Sequence, residues 1–128
     1  QTKTGVKPIS ISHCDSFAVA VLGLNNEMIG IDIESKDRII SNSILDQFCS
    51  TIEISELISA SPTVRLERWM MKEAVSKATG DGMSIAKEIL VEGENAYYQK
   101  SIFRIFRHEH EGHNIVVAID YSDSSVDN

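Results

Sequence analysis

Apolar and polar positions change their period several times along the chain, and each change marks an element. Phe17–Leu22 is a short apolar run with β-branched residues, which predicts a buried strand. Gly23-Leu24-Asn25-Asn26 has turn chemistry, and 27–34 reads as a second strand, so the two are expected to pair as an antiparallel hairpin. Ser43–Phe48 and Ile54–Ala60 carry apolar residues at three- and four-residue spacing and predict two short helices. Ser61-Pro62 supplies an N-cap serine and a proline at the first helical position. The helix it starts should run to Thr79 and stop at Gly80, burying Leu66, Met70, Met71, Ala74, Val75 and Ala78 on one face. Ile85–Val91, Tyr97–Arg107 and Asn114–Tyr121 read as strands, with Gly112 in the turn between the last two. Residues 1–10 have little periodicity, and 122–128 form a polar tail expected to fray. Two strands, three helices and three strands predict an α+β fold: an antiparallel sheet layered against about three helices, in one domain over 1–128.

Composition narrows the function. Twelve basic against nineteen acidic residues give a net charge of −7, which argues against nonspecific nucleic-acid or anionic-membrane binding but leaves room for a locally basic anion site. The longest apolar run, 17–24, is far short of the about 20 residues of a membrane helix, and no basic leader precedes it. Cys14 and Cys49 are too few for a disulfide framework, so reduced, buried thiols in a cytoplasmic protein are expected. The chain begins with Gln1 rather than Met, which fits a piece of a longer product.

The candidate chemistry sits in two acidic stretches. In Gly30-Ile31-Asp32-Ile33-Glu34 the two carboxylates share a strand face about 6.6 Å apart along the chain, with Ile31 and Ile33 turned to the core. Such a pair can converge on a cation, although a solvated strand edge has the same pattern. In Trp69-Met70-Met71-Lys72-Glu73-Ala74-Val75-Ser76-Lys77, Trp69, Glu73 and Lys77 form one helical stripe. Alone, Glu73 and Lys77 are an ordinary surface ion pair worth about 0.3–0.5 kcal/mol. Trp69 above them would shield a site from water or belong to the core. Ser10-Ile11-Ser12-His13, expected in a loop, offers hydroxyls and an imidazole suited to phosphate oxygens, or to local turn bonds. His108, His110 and His113 lie near a turn with no cysteine close in sequence; a solvated hairpin tip is the expectation, and a zinc-binding interaction domain the competing one.

Taken jointly, these pieces resemble the 4'-phosphopantetheinyl transferases. Gly30-Ile31-Asp32 is similar to the family's Gly-[Ile/Val]-Asp signature, and 69–77 to its Trp/Phe-x-x-Lys-Glu-[Ala/Ser]-x-x-Lys signature, about 40 positions on. The upstream Ser10-Ile11-Ser12-His13 and the Asp32-x-Glu34 form look like the surfactin-synthetase-activating type rather than the short holo-acyl-carrier-protein-synthase type, and Lys77-Ala78-Thr79-Gly80-Asp81-Gly82 is similar to the glycine-ended helix of both. The resemblance spans about residues 5–121. It implies transfer of the phosphopantetheine arm of coenzyme A to a serine of an apo acyl or peptidyl carrier protein, leaving adenosine 3',5'-bisphosphate. It further implies that Asp32, Glu34 and Glu73 hold Mg²⁺ and that Lys77 neutralises charge at the diphosphate. Ser12 and His13 would contact coenzyme A phosphates, and Glu73, or a water on the metal, would take the serine proton.

The surfactin-synthetase-activating type is usually about twice this length, two similar halves with the site between them, and this chain looks like the second half. The family's Gly-Lys-Pro element lies further upstream than Lys7-Pro8 does here. The favoured expectation is a homo-oligomer, dimer or trimer, in which a neighbour completes the coenzyme pocket; a fragment or a divergent single-domain member is the alternative. The competing reading is a coenzyme- or carrier-binding module without turnover, against which the intact set Asp32, Glu34, Glu73 and Lys77 argues. Arg104 with Arg107, or Arg65 with Arg68, are candidates for docking an acidic carrier.

Overall fold

A computed structural model of the chain describes residues 8–24 and 27–121. Strands β1 (Ile9–Cys14) and β2 (Phe17–Leu22) form an antiparallel hairpin. Strand β3 (Ile29–Ser35) is followed by helices α1 (Asn42–Phe48), α2 (Thr51–Leu57) and α3 (Pro62–Thr79), then a 3₁₀ helix (Gly82–Glu88). Strands β4 (Leu90–Glu92), β5 (Asn95–Tyr98), β6 (Ser101–His110) and β7 (His113–Asp120) complete the chain. The larger sheet has the order β3-β7-β6-β5-β4, antiparallel throughout, with α3 packed against β3 and β7. This is the expected α+β architecture, an antiparallel sheet layered on helices.

The expected pairing of 17–22 with 27–34 does not form. β2 turns back onto β1 through Asp15 and Ser16, with Cys14 opposite Phe17, and β3 pairs with β7 instead. Ser10–His13, expected in a loop, is therefore strand. Alternation encodes a strand but not its partner, and the two-residue Asp15-Ser16 turn closes a hairpin more tightly than 23–26 would. Of that expected turn, Asn25 and Asn26 lie outside the described residues, as do 1–7 and the tail 122–128. Ile85–Val91 is mostly the 3₁₀ helix, which buries Ile85 and Ala86; a short apolar run does not separate strand from buried helix. The strand expected over 97–107 is broken at Gln99, which takes a positive φ of 54° in the turn between β5 and β6. Gln-Lys carries no turn signal, so tertiary pairing sets that bend.

α3 matches its sequence closely. The Ser61 hydroxyl accepts from the Val64 N–H at 3.2 Å, Pro62 opens the helix, and Gly80 ends it in the left-handed region at φ 80°. Leu66, Met70, Met71, Ala74 and Val75 are buried in the core with Leu45, Phe48, Leu57, Phe103 and Val116. Lys72 is buried too, where an apolar stripe predicted nothing of the kind. Its ammonium donates to the Glu53 carboxylate and to the carbonyl oxygens of Phe48 (3.1 Å) and Ala86 (2.9 Å), tying α3 to both shorter helices and the 3₁₀ helix. Glu53 also caps α2 and accepts from Arg68. Among the described residues no helix is long and apolar enough to cross a membrane.

Candidate functional site

The two acidic stretches meet where α3 crosses β3. Gly30 permits this: a Cβ there would collide with the Ala74 carbonyl oxygen and come within 2.6 Å of the Ala78 backbone nitrogen. Only a residue without a side chain lets the helix backbone approach the strand so closely. Two positions along β3, on the same face, Asp32 is 4% exposed. Ile31 and Ile33 are buried on the opposite side, as expected.

Lys77 reaches down from α3. Its Nζ lies 3.1 Å from the Ile31 carbonyl oxygen and 3.4 Å from Asp32 Oδ1. Asp32 Oδ2 is buried without a hydrogen-bond partner. Burial pushes the Asp32 carboxyl up to about 7 from 3.8; the charges of Glu34 and Glu73 push the same way, and Lys77 opposes them. Glu73 is raised by burial as well, with Lys77 and Arg38 pulling down and Glu34 up. Asp32, Glu34 and Glu73 thus feel one another's charge, with Lys77 and Arg38 as the positive groups among them, although their oxygens are not gathered at metal-ligand spacing. An all-oxygen donor set with an orphaned buried oxygen fits a hard divalent cation such as Mg²⁺.

Arg38 belongs to this site and had no sequence signal beyond its spacing of four from Glu34. Its guanidinium donates to Glu34 Oε2 at 2.7 Å and stacks 5.0 Å from the centre of the Trp69 ring. Trp69 in turn sits edge-on to Phe48, ring centres 5.2 Å apart. It thus joins the core on one side and lies under the Arg38 guanidinium on the other.

Ser12 and His13 part company. Ser12 is buried and turned inward: its hydroxyl accepts from the Ile33 N–H at 3.2 Å and faces Asp32 Oδ1 at 3.5 Å. Ser10 accepts from the Ile31 N–H in the same way at 3.1 Å. β3 is a sheet edge, and the two serines satisfy its free donors while joining the hairpin to it. His13 points outward with Ile9 and Ile11 and is exposed. A groove of about 270 Å³ lined by Glu67, Arg107, His108, Glu109, Asn114 and Val116 lies along β6 and β7, beside the register partners of Glu34 and Asp32, and none of Asp32, Glu34, Glu73 or Lys77 lines it.

The histidines do not act as a set. His108 and His110 are exposed, as a hairpin tip should be, whereas His113 is buried. Its Nε2 lies 2.8 Å from Asp15 Oδ2, and Cys14 is adjacent, so a cysteine does stand beside this turn, brought there from the far end of the chain. Cys49 is buried and both thiols are free. Of the arginines considered for docking, Arg68 is spent on Glu53, Arg65 donates to Asn42, Arg107 pairs with Glu94 and Glu67, and exposed Arg104 lies over the Tyr121 ring.

A buried Asp32 with half-buried Glu34 on an edge strand, faced by a helix carrying Glu73 and Lys77, is the arrangement the fold builds where its two layers meet. The profile of the 4'-phosphopantetheinyl transferase superfamily matches residues 28–118, and the chain belongs to that superfamily. Its activity is of the phosphopantetheinyl transferase kind, with coenzyme A and carrier proteins as the family's substrates. A comparison with curated proteins gives no significant match.

Proposed function

We propose that the protein transfers 4'-phosphopantetheine from coenzyme A to a serine hydroxyl of an apo acyl or peptidyl carrier protein in a Mg²⁺-dependent reaction, releasing adenosine 3',5'-bisphosphate. The observation that carries this is Asp32: a buried carboxylate with one oxygen unpartnered, held beside Glu34 and Glu73 and answered only by Lys77.

Asp32, Glu34 and Glu73 would hold the Mg²⁺, which when bound supplies positive charge to the diphosphate of coenzyme A. Lys77 fixes a second positive charge at the same place at no reorganisation cost, because its stem and Nζ are already set by the Ile31 carbonyl. The serine oxygen forms a bond to the phosphorus of the pantetheine-bearing phosphate. The bond from that phosphorus to the adenosine-bearing phosphate oxygen breaks, and that oxygen leaves with its electron pair. The serine proton goes to Glu73, a carboxylate set one helical turn from Lys77. Ser12 holds Asp32 in place, and Trp69 with Arg38 limits water on the acidic face. Exposed His13 would meet a coenzyme A phosphate.

His13 lies on the outer hairpin face with Ile9, Ile11 and Leu22, which are 61%, 58% and 53% exposed. We take the occupant of this apolar face to be a second copy of the chain, whose arrival would place His13 in a seam and complete the coenzyme pocket. Sedimentation of the purified chain is expected to give a dimer or trimer; an active monomer would refute the shared pocket.

The direct test is incubation with coenzyme A, Mg²⁺ and a panel of apo-carriers, read by the mass of the carrier. The wild-type chain should add the phosphopantetheine mass, and Glu73→Gln, folded, should lose at least about 10²–10³ in rate. Labelling by Glu73→Gln at the wild-type rate would sink the assignment, and coenzyme A binding without any transfer would instead support a module without turnover.

A further inference from the structure

Two hairpin tips that are distant in sequence meet on the side of the protein away from α3. One is Cys14-Asp15-Ser16 between β1 and β2; the other is Glu111-Gly112-His113 at the start of β7. The Cys14 sulfur, an Asp15 carboxylate oxygen and a His113 ring nitrogen all lie within 4.8 Å of one another. Asp15 Oδ2 is 2.8 Å from His113 Nε2 and 3.7 Å from Cys14 Sγ. We propose that Cys14, Asp15 and His113 form a binding site for one borderline-soft divalent ion of the zinc class, with a fourth position open to solvent.

The imidazole carries the first argument. His113 Nδ1 is 2.9 Å from the carbonyl oxygen of Glu111, which can only accept, so Nδ1 holds a proton. In the neutral ring Nε2 then presents a lone pair to a carboxylate oxygen at hydrogen-bond distance. Two acceptors facing each other need a cation between them, either a second proton or a metal ion. A carbonyl that fixes the tautomer from behind is the usual outer-shell partner of a metal-bound histidine. The sulfur carries the second argument. Cys14 Sγ brings a soft donor within 3.7 Å of the Asp15 carboxylate; burial raises its pKa, with Asp15 and Glu34 adding to this and the Ser35 backbone N–H opposing it, so a bound ion would displace the thiol proton. Zn–N and Zn–O bonds of about 2.0–2.1 Å and a Zn–S bond of about 2.3 Å put tetrahedral donors roughly 3.3–3.8 Å apart. The three groups reach that spacing with shifts of about an ångström, and the exposed Asp15 side chain is free to make them. His113 is held by Phe17, edge-on at 4.8 Å.

The sulfur-nitrogen-oxygen set differs from the all-oxygen set around Asp32, so the two sites would take different metals and neither reading depends on the other. A metal here would clasp the β1–β2 hairpin, which carries Ser12 and His13, to the main sheet.

The test uses the full chain, chelator-treated under reducing conditions, titrated with Zn²⁺ and with Co²⁺ as a coloured stand-in. One equivalent should bind with a thiolate-to-cobalt charge-transfer band, and Zn²⁺ should raise the melting temperature. Cys14→Ser and His113→Gln should abolish the band, while Cys49→Ser keeps it. Because a variant can misfold, alkylation of Cys14 in the wild-type chain is the second measurement, and zinc should slow it at least tenfold. No stoichiometric binding, a band that survives Cys14→Ser, or alkylation indifferent to zinc would each overturn the site and leave a plain His113–Asp15 ion pair.

Discussion

Lys77 Nζ stands 3.4 Å from Asp32 Oδ1, from a helix onto a strand that precedes it by more than a helix length of sequence. That separation is longer than a tight ion pair, and Lys77 also spends a bond on the Ile31 carbonyl. The lysine is thus anchored to the strand backbone and only partly offsets the buried carboxylate, which leaves attraction available for a second cation.

The first prediction concerns pH. The Asp32 carboxyl titrates at about 7 in the folded chain against 3.8 for an ordinary aspartate, so the folded state holds this proton more tightly than the unfolded state does. The contribution to stability is full below the unfolded value, declines as pH rises between the two, and is gone above the folded value. At about 1.36 kcal/mol per unit its span is on the order of 4 kcal/mol. The metal-free chain should therefore melt at a lower temperature at about pH 8 than at about pH 5, and Asp32→Asn should flatten that slope. Mg²⁺ should restore stability at the higher pH in the wild type only. An unchanged slope in Asp32→Asn would show that other groups govern it.

Lys77→Met keeps the aliphatic stem and removes the charge. Asp32 then loses the one positive neighbour that lowers its pKa, so its titration should move further upward by NMR. Transfer should fall by about 10²–10³ as a fixed electrostatic contact is lost. A melting temperature near that of the wild type with full activity would remove Lys77 from the site.

Gly30→Ala should fail for steric reasons. The added methyl meets the backbone of α3 at Ala74 and Ala78, and backbone cannot swing aside as a side-chain tip can. Overpacking of this kind costs about 1–3 kcal/mol or more, and the strand and helix must separate to relieve it. Denaturant unfolding should report the loss, and the residual folded protein should bind Mg²⁺ more weakly.

Lys72→Met tests the neighbouring buried cation, which is structural. It leaves Glu53 with Arg68 alone and two carbonyls without their donor, and should cost about 3 kcal/mol by denaturant unfolding. Adding Glu53→Gln should recover part of that loss, and activity per folded molecule should stay close to wild type. A neutral Lys72→Met would mean that the buried ion pair contributes little.

The sequence by itself determined α3 almost completely, from the Ser61 cap and Pro62 to Gly80, because caps and a 3.6-residue apolar period are local signals. It also determined that Asp32 and Glu34 share one strand face and that Glu73 and Lys77 share one helix face. It did not determine strand partners, since alternation has no address: β2 returned to β1, and β3 found β7 near the other end of the chain. The burial of polar groups was equally out of reach, and that burial is what made Asp32 and Glu73 unusual acids, set Ser12 against the β3 backbone, and hid Lys72 in the core. Arg38 at Glu34 and His113 beside Cys14 and Asp15 are contacts that only tertiary structure could decide, because charge and lone-pair geometry depend on distances through space, and the chain crosses itself to set them.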